Sequence, residues 1–77
     1  MEWQEGIPRW VQIADDLEKH IRDGEYLPGT RVPSVLRVMD TYNVASATAQ
    51  KALSGLRDRG LTRTDPGIGS TVRTPDT

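Results

Sequence analysis

Seventy-seven residues, 35% hydrophobic and 27% charged, with no cysteine and one histidine, set the scale of one small domain with a modest core and exclude a disulfide or zinc staple. No apolar run nears the roughly 18 residues of a membrane span, and MEWQEGIPRW lacks the basic-then-apolar order of a secretory signal, so a cytoplasmic protein is expected. The formal net charge of −1 averages two unlike halves: residues 1–30 set three cations against seven carboxylates, and residues 31–73 set seven against three. Such polarity points to a basic face supplied by the C-terminal part, or more plainly to an unevenly solvated surface.

Pro8 suits the mouth of a helix, where its missing N–H is not needed. Beyond it Trp10, Ile13, Ala14, Leu17 and Ile21 recur at steps of three and four and predict an apolar stripe over about residues 9–23. Asp15, Asp16 and Glu18 are read as a solvated acidic face near the helix start, Arg22 as a favourable charge near its end, and Gly24 as the stop. His20 has no second ligand at i+4 and is read as a half-buried packing residue. Trp10 fits the core, and Trp3 either covers it or joins a dimer.

In EYLPGTRVP, Pro-Gly signals a turn and Pro33 favours extended geometry before it. A loop with a short β-bridge near Arg31 and Val32 follows. Ser34 is a good N-cap for a second helix, whose face is Val35, Val38, Met39 and Tyr42 and whose end is Asn43, the non-glycine residue best suited to a left-handed backbone. The third helix has a weaker start, since Ala45 cannot cap and Ser46 can, which predicts a start one residue late or a frayed first turn. Ala49, Ala52, Leu53 and Leu56 form its buried stripe and Gly60 closes it. Two helices joined by so short a turn make a helix-turn-helix. The segment LTRTDPGIGSTVR then alternates strand-forming Thr and Val with a Pro-Gly-x-Gly centre, a β-hairpin.

In this order, PRWVQIADDLEKHIRDGEYLPGTRVPS, YNVASATAQKALSGLRDRGL and GIGSTV resemble the DNA-binding domain of the GntR family of bacterial transcription regulators over about residues 7–73. The resemblance implies a mainly α winged helix-turn-helix, three helices plus a wing. It also implies binding to double-stranded operator DNA as a homodimer, in transcriptional control. Residues 1–8 are then an N-terminal arm, 9–73 the domain and 74–77 a disordered tail; the chain is expected to be either a complete small regulator or a fragment of a larger one.

The departures from the family pattern are specific. Its three arginine positions are occupied by Leu36, Ser46 and Gln50, and its polar wing tip by Ile68. A larger Met39 and a smaller Ala49 also stand where the family has the reverse, and the pair is expected to compensate in volume. The recognition helix, about 46–59, is expected to present Ser46, Ala47, Thr48 and Gln50 to the major groove. Glutamine pairs with adenine where arginine prefers guanine, and alanine packs on a thymine methyl, so an A·T-richer site is expected. Phosphate contacts are assigned to Arg31, Ser34, Arg37, Lys51, Arg63 and Arg73 and to the wing at Gly67, Gly69 and Ser70, with the wing about 61–73. Arg57 and Arg59 are read as serving solubility.

Two other readings remain at this stage. Leu36, Ala47 and Ile68 together would make an apolar patch that meets a protein partner, and a phage or plasmid accessory factor would share the DNA contacts. The glycines of GIGS lack the lysine of a P-loop, no nucleophile stands with a base, and neither enzyme activity, cofactor nor metal is expected.

Overall fold

A computed structural model describes residues 2–65 and 69–73. Three helices, α1 (Arg9–Arg22), α2 (Val35–Tyr42) and α3 (Ser46–Asp58), are followed by strands β1 (Thr62–Asp65) and β2 (Gly69–Val72). The strands pair antiparallel with Thr62 opposite Val72 and Arg63 opposite Thr71. The bridge expected near Arg31 is present: Arg31 pairs with Thr71, Val32 N–H donates to Ser70 O at 3.1 Å, and Val72 N–H donates to Thr30 O at 2.8 Å. The loop before α2 thus acts as a third, short strand on the hairpin. Expectations for Gly67, Ile68 and residues 74–77 lie outside the described residues.

The helix punctuation follows local chemistry. Ser34 Oγ accepts from Arg37 N–H at the start of α2, and Asn43 takes φ 55°, ψ 54° at its end. Gly24 takes φ 85° just after α1. α3 begins at Ser46, within the bounds expected, and Ala45 stands extended in the cap position with no side-chain cap bond, so the start one residue late with Ser46 as cap does not occur. A cap side chain satisfies only one of several orphan amides, so packing of the Ala49–Leu56 stripe outweighs its loss.

The core is Ile13, Ala14 and Leu17 of α1, Val38 of α2, and Ala49, Ala52 and Leu56 of α3. Gly55 belongs to its tightest contact. A Cβ there would lie 3.1 Å from Trp10 Cζ3 and 3.6 Å from Ala14 Cβ. Glycine within a helix costs about 1 kcal/mol relative to alanine; here it lets the Trp10 indole lie against the α3 backbone. Met39 is half-buried and packs on the cluster that holds Ala49.

The acidic residues of α1 form the face expected, with Asp15 exposed, but they are ion-paired or hydrogen-bonded rather than merely solvated and are not matched to the helix dipole. None is in the first turn, and each has a partner. Arg59 Nη1 meets Asp15 Oδ1 at 2.8 Å and Glu18 Oε1 at 3.1 Å, while Arg22 Nε donates to Glu18 Oε2 at 2.9 Å. Tyr42 OH donates to Asp16 at 2.6 Å, and His20 sits between Asp16 and Glu25. Burial, then the bond to Asp16, pushes the Tyr42 hydroxyl well above its ordinary value. The hydrogen bond from Arg22, with help from Arg59, holds Glu18 below its ordinary 4.5. Burial opposes the charge on Arg59, but its bonds to Asp15 and Glu18 outweigh this and raise it. Arg59 therefore ties the end of α3 to the middle of α1.

Two stability measurements follow from this packing. Truncating a fully buried Met costs about 2–5 kcal/mol; half-exposed Met39 should lose about 1–2 kcal/mol as Met39→Ala, a fall in Tm of roughly 5–15 °C, partly restored by adding Ala49→Val. An unchanged Tm rejects the volume compensation. For the ion bracket, the folded-state pKa of Glu18 is depressed, so its contribution is present above 4.5 and is lost as pH falls through the folded value. Glu18→Gln should lower stability by about 0.5–1 kcal/mol at neutral pH, and the gap from the parent should close on acidification, read by urea unfolding across pH. A gap that persists in acid would assign the loss to packing.

Candidate nucleic-acid interface

The contacts Lys51–Trp10, Gly55–Trp10 and Arg59–Asp15 make α1 and α3 advance in the same sense along their seam. Their N-termini therefore lie toward the same side of the molecule. No helix of the three carries an acidic residue in its first turn. Uncompensated amides at helix N-termini carry partial positive charge, which the side where α1 and α3 begin gains although the chain's net charge is −1.

On α3, Ser46, Gln50 and Arg57 are exposed and follow one another at steps of four and seven, one side of a 3.6-residue helix. Gln50 and Arg57 line a shallow groove with Ser54, Leu53, Val35 and Ser70. An adjoining groove shares Val35, Leu53 and Ser70 and continues to Arg31 and Ser34; a third shares Arg31 and Ser34 and reaches Arg37. These surfaces form one concave band from the recognition helix, past the start of α2, to the wing. Thr71, with Arg63 and Arg31 on either side of it, belongs to the opposite face of the hairpin from buried Thr62, Val72 and Val32.

The sequence-derived site residues divide accordingly. Arg31, Ser34, Arg37, Gln50 and Ser70 are brought together on the band. Ser46 and Ala47 are exposed at the start of α3, whereas Thr48 is half-buried. Arg63 lies in mid-hairpin, and Gly69 pairs with Asp65 at the far end of the strands. Two cations stand apart. Lys51 Nζ sits 5.2 Å from the Trp10 ring centre, on the α1 flank. Arg73 is at the hairpin base, its backbone N–H donating to Leu61 O and its guanidinium near Gly60.

Three features were not read from the sequence. Arg57 lies on the band rather than serving solubility alone; its distance of seven residues from Gln50, two helical turns, was the available signal. Arg59 belongs to the ion bracket. Gln12, 7% exposed, holds the N-terminal arm: its Oε1 accepts from Gln4 N–H at 2.8 Å, and its Nε2 donates to Gln4 O at 3.1 Å and Ile7 O at 2.9 Å. Trp3 is thereby held against the core, with the Arg9 guanidinium 5.0 Å from its ring centre. Leu36, on α2, is 76% exposed.

Comparison with known proteins agrees with this geometry. The family model "Bacterial regulatory proteins, gntR family" matches residues 10–72. The transcriptional repressor NagR of Bacillus subtilis is 32% identical over 72 residues, 94% of this chain and 30% of its own. The AraR DNA-binding domain in complex with operator ORR3 superposes with a TM-score of 0.81 at 25% identity, covering 94% of this chain and 87% of that one. A GntR family transcriptional regulator from Listeria monocytogenes shares the fold at a TM-score of 0.83 and 24% identity, covering 92% of this chain and 62% of that one. The chain spans 24–31% of the length of the first curated relatives it matches. With the three helices, the hairpin and the helix-turn-helix all in place, the chain belongs to the gntR family of bacterial regulatory proteins, as a winged helix-turn-helix domain.

Proposed function

We propose that this domain binds double-stranded operator DNA and serves transcriptional regulation in the bacterial cytoplasm, with α3 in the major groove and the hairpin on the backbone. The observation that carries the reading is the concave band itself, where Arg57 stands beside the exposed Gln50 edge of α3 and Arg31 and Arg37 follow along the adjoining grooves. Among the described residues none of these three guanidiniums is paired with a carboxylate, whereas Arg22 and Arg59 are. Cations left unpaired beside a helix edge suit phosphate, which supplies most of the affinity for DNA.

Division of labour follows. Arg31, Arg37 and Arg63 meet phosphates, with the amide end of α2 at Ser34 beside them. Ser46, Ala47 and Gln50 meet base edges, and glutamine in place of arginine favours adenine over guanine. With Arg57 as a fourth cationic contact, the slope of log K against log salt is about −4 per domain. A single domain therefore binds weakly, and two copies on a repeated half-site supply useful affinity. AraR with its operator is the structural parallel for this docking.

Exposed Leu36 beside the band favours a second reading, a protein-binding winged helix. Titration of an A·T-rich and a G·C-rich duplex at low and high salt separates the two. The first reading expects salt-steep binding, weakened about tenfold or more by Arg31→Ala with Arg37→Ala, and a preference for A·T that Gln50→Ala erases. Absence of duplex binding at low salt rejects it and leaves the protein-binding reading.

A further inference from the structure

We infer that Tyr42 is a positioning residue for base reading: through its hydrogen bond to Asp16 it fixes the turn between α2 and α3, and with it the orientation of Ser46 and Gln50 relative to the cations of the band. The inference rests on the DNA-binding reading above and concerns how the neutral edge of α3 is held, which that reading leaves open.

With eight residues, α2 is too short to keep a direction by its own hydrogen bonds, so its direction is set by what grips its ends. Before its start Val32 N–H donates to Ser70 O at 3.1 Å, which binds the entry to the hairpin, and Ser34 caps the first turn. At its end Tyr42 Oη donates to Asp16 Oδ2 of α1 at 2.6 Å. Among the described residues no other hydrogen bond or ion pair joins α2 to α1. A hydroxyl–carboxylate bond of that length is charge-assisted, roughly twice as strong as a neutral one. Burial, then the bond itself, pushes the hydroxyl well above its ordinary value, so it stays a donor throughout the physiological range. Asp16 is steadied in turn by His20 Nε2 at 3.3 Å, one turn along α1.

The turn hangs on that end of α2. The N–H groups of Asn43 and Val44 both donate to Met39 O, so residues 43–45 are built onto the last turn of the helix. α3 has no side-chain cap of its own, and its first buried residue, Ala49, offers the core only a methyl. Val44 packs on the core and keeps the turn in place; the direction in which the turn launches α3 follows the end of α2. A shift at Tyr42 is therefore carried to Ser46, four residues on, and to Gln50 one helical turn later. A bidentate contact to adenine needs both amide atoms in register with the base edge, whereas a long cationic side chain reaches phosphate from a range of backbone positions. The two kinds of contact respond differently to loss of the tie.

The test compares an A·T-rich with a G·C-rich duplex for the parent chain, Tyr42→Phe, Asp16→Ala and Asp16→Asn. Glu18→Gln serves as a destabilised control on the α1–α3 side, and each chain is measured where far-UV circular dichroism shows it folded. The parent's preference for A·T, about tenfold for one bidentate contact, should fall to about threefold or less in Tyr42→Phe and in Asp16→Ala. The salt slope should not change, because no phosphate contact is lost. Asp16→Asn keeps an acceptor for the hydroxyl and should retain most of the preference, and Glu18→Gln should match the parent in preference and slope. A preference unchanged in Tyr42→Phe and Asp16→Ala, whatever their Tm, overturns the positioning role and leaves DNA binding standing. An equal loss in Glu18→Gln, a slope that falls together with the preference, or a parent that binds steeply with salt but without base preference does the same. A parent with no salt-sensitive duplex binding overturns the underlying reading, and the role of Tyr42 with it.

Discussion

Trp10 lying against Gly55 fixes how α1 and α3 meet, and the rest of the surface depends on that contact. Without a side chain at position 55, the indole reaches the α3 backbone and the two helices advance together. At one end of the seam Lys51 covers the outer face of the same indole; at the other Arg59 is held by Asp15 and Glu18. A residue with a Cβ at 55 gains helix propensity but must move Trp10 by a few tenths of an ångström, and with it the flank that carries Lys51. Packing and electrostatics are therefore set by one missing methyl group.

The same seam explains how a chain of net charge −1 presents a basic surface. Charge is sorted, not accumulated. Carboxylates Asp15, Asp16, Glu18 and Glu25 are engaged by Arg59, Arg22, Tyr42 and His20. They are grouped along α1 beyond Trp10 and on the turn that follows it, so their field falls on that part of the domain. The helix starts, with no acid in their first turns, and Arg31, Arg37 and Arg57, unpaired among the described residues, lie elsewhere, on a surface that also exposes Glu2, Glu5, Asp23, Asp40 and Asp58. At physiological salt the screening length is about 8 Å, so a phosphate at the start of α3 is influenced mainly by its near neighbours. The chain's total charge is a poor guide to what it binds.

Legibility in the sequence followed the range of the interaction. Ser34, Asn43, Gly24 and Gly60 act on their own backbone or a neighbour's, and each boundary they mark could be read from residue type. Hydrophobic periodicity likewise gave the three buried stripes, because the period of a helix is a local property. What escaped involves partners far apart in the chain. Arg59 and Glu18 are 41 positions apart and Tyr42 and Asp16 are 26 apart, and no spacing rule links them. Gln12 is polar and outside the apolar period of α1, yet it is buried because the arm folds back onto it. Residue type alone also could not separate Arg57 from Arg59, two residues apart: one faces the band and the other the acids of α1, a 200° difference that only the fold makes visible.

The neutral opening of α3 is consistent with this sorting. Ser46 and Gln50 carry no charge, so under the proposed docking they would add little to non-specific attraction, leaving affinity to cations on the flanks and discrimination to the helix edge. An arginine at position 50 would contribute to both, since guanidinium binds phosphate as readily as guanine. Glutamine contributes to the second alone, by a bidentate pattern that fits adenine. Separating the two tasks makes specificity depend on Gln50 being held at a fixed depth in the groove. In the proposed docking that depth would depend on what stands on either side of the helix: Arg31, Ser34 and Arg37 on one flank, and Trp10 with Lys51 over its ring on the other. Reading bases with neutral groups would require rigid flanks, and on the α1 side the contact of Trp10 with Gly55 supplies that rigidity.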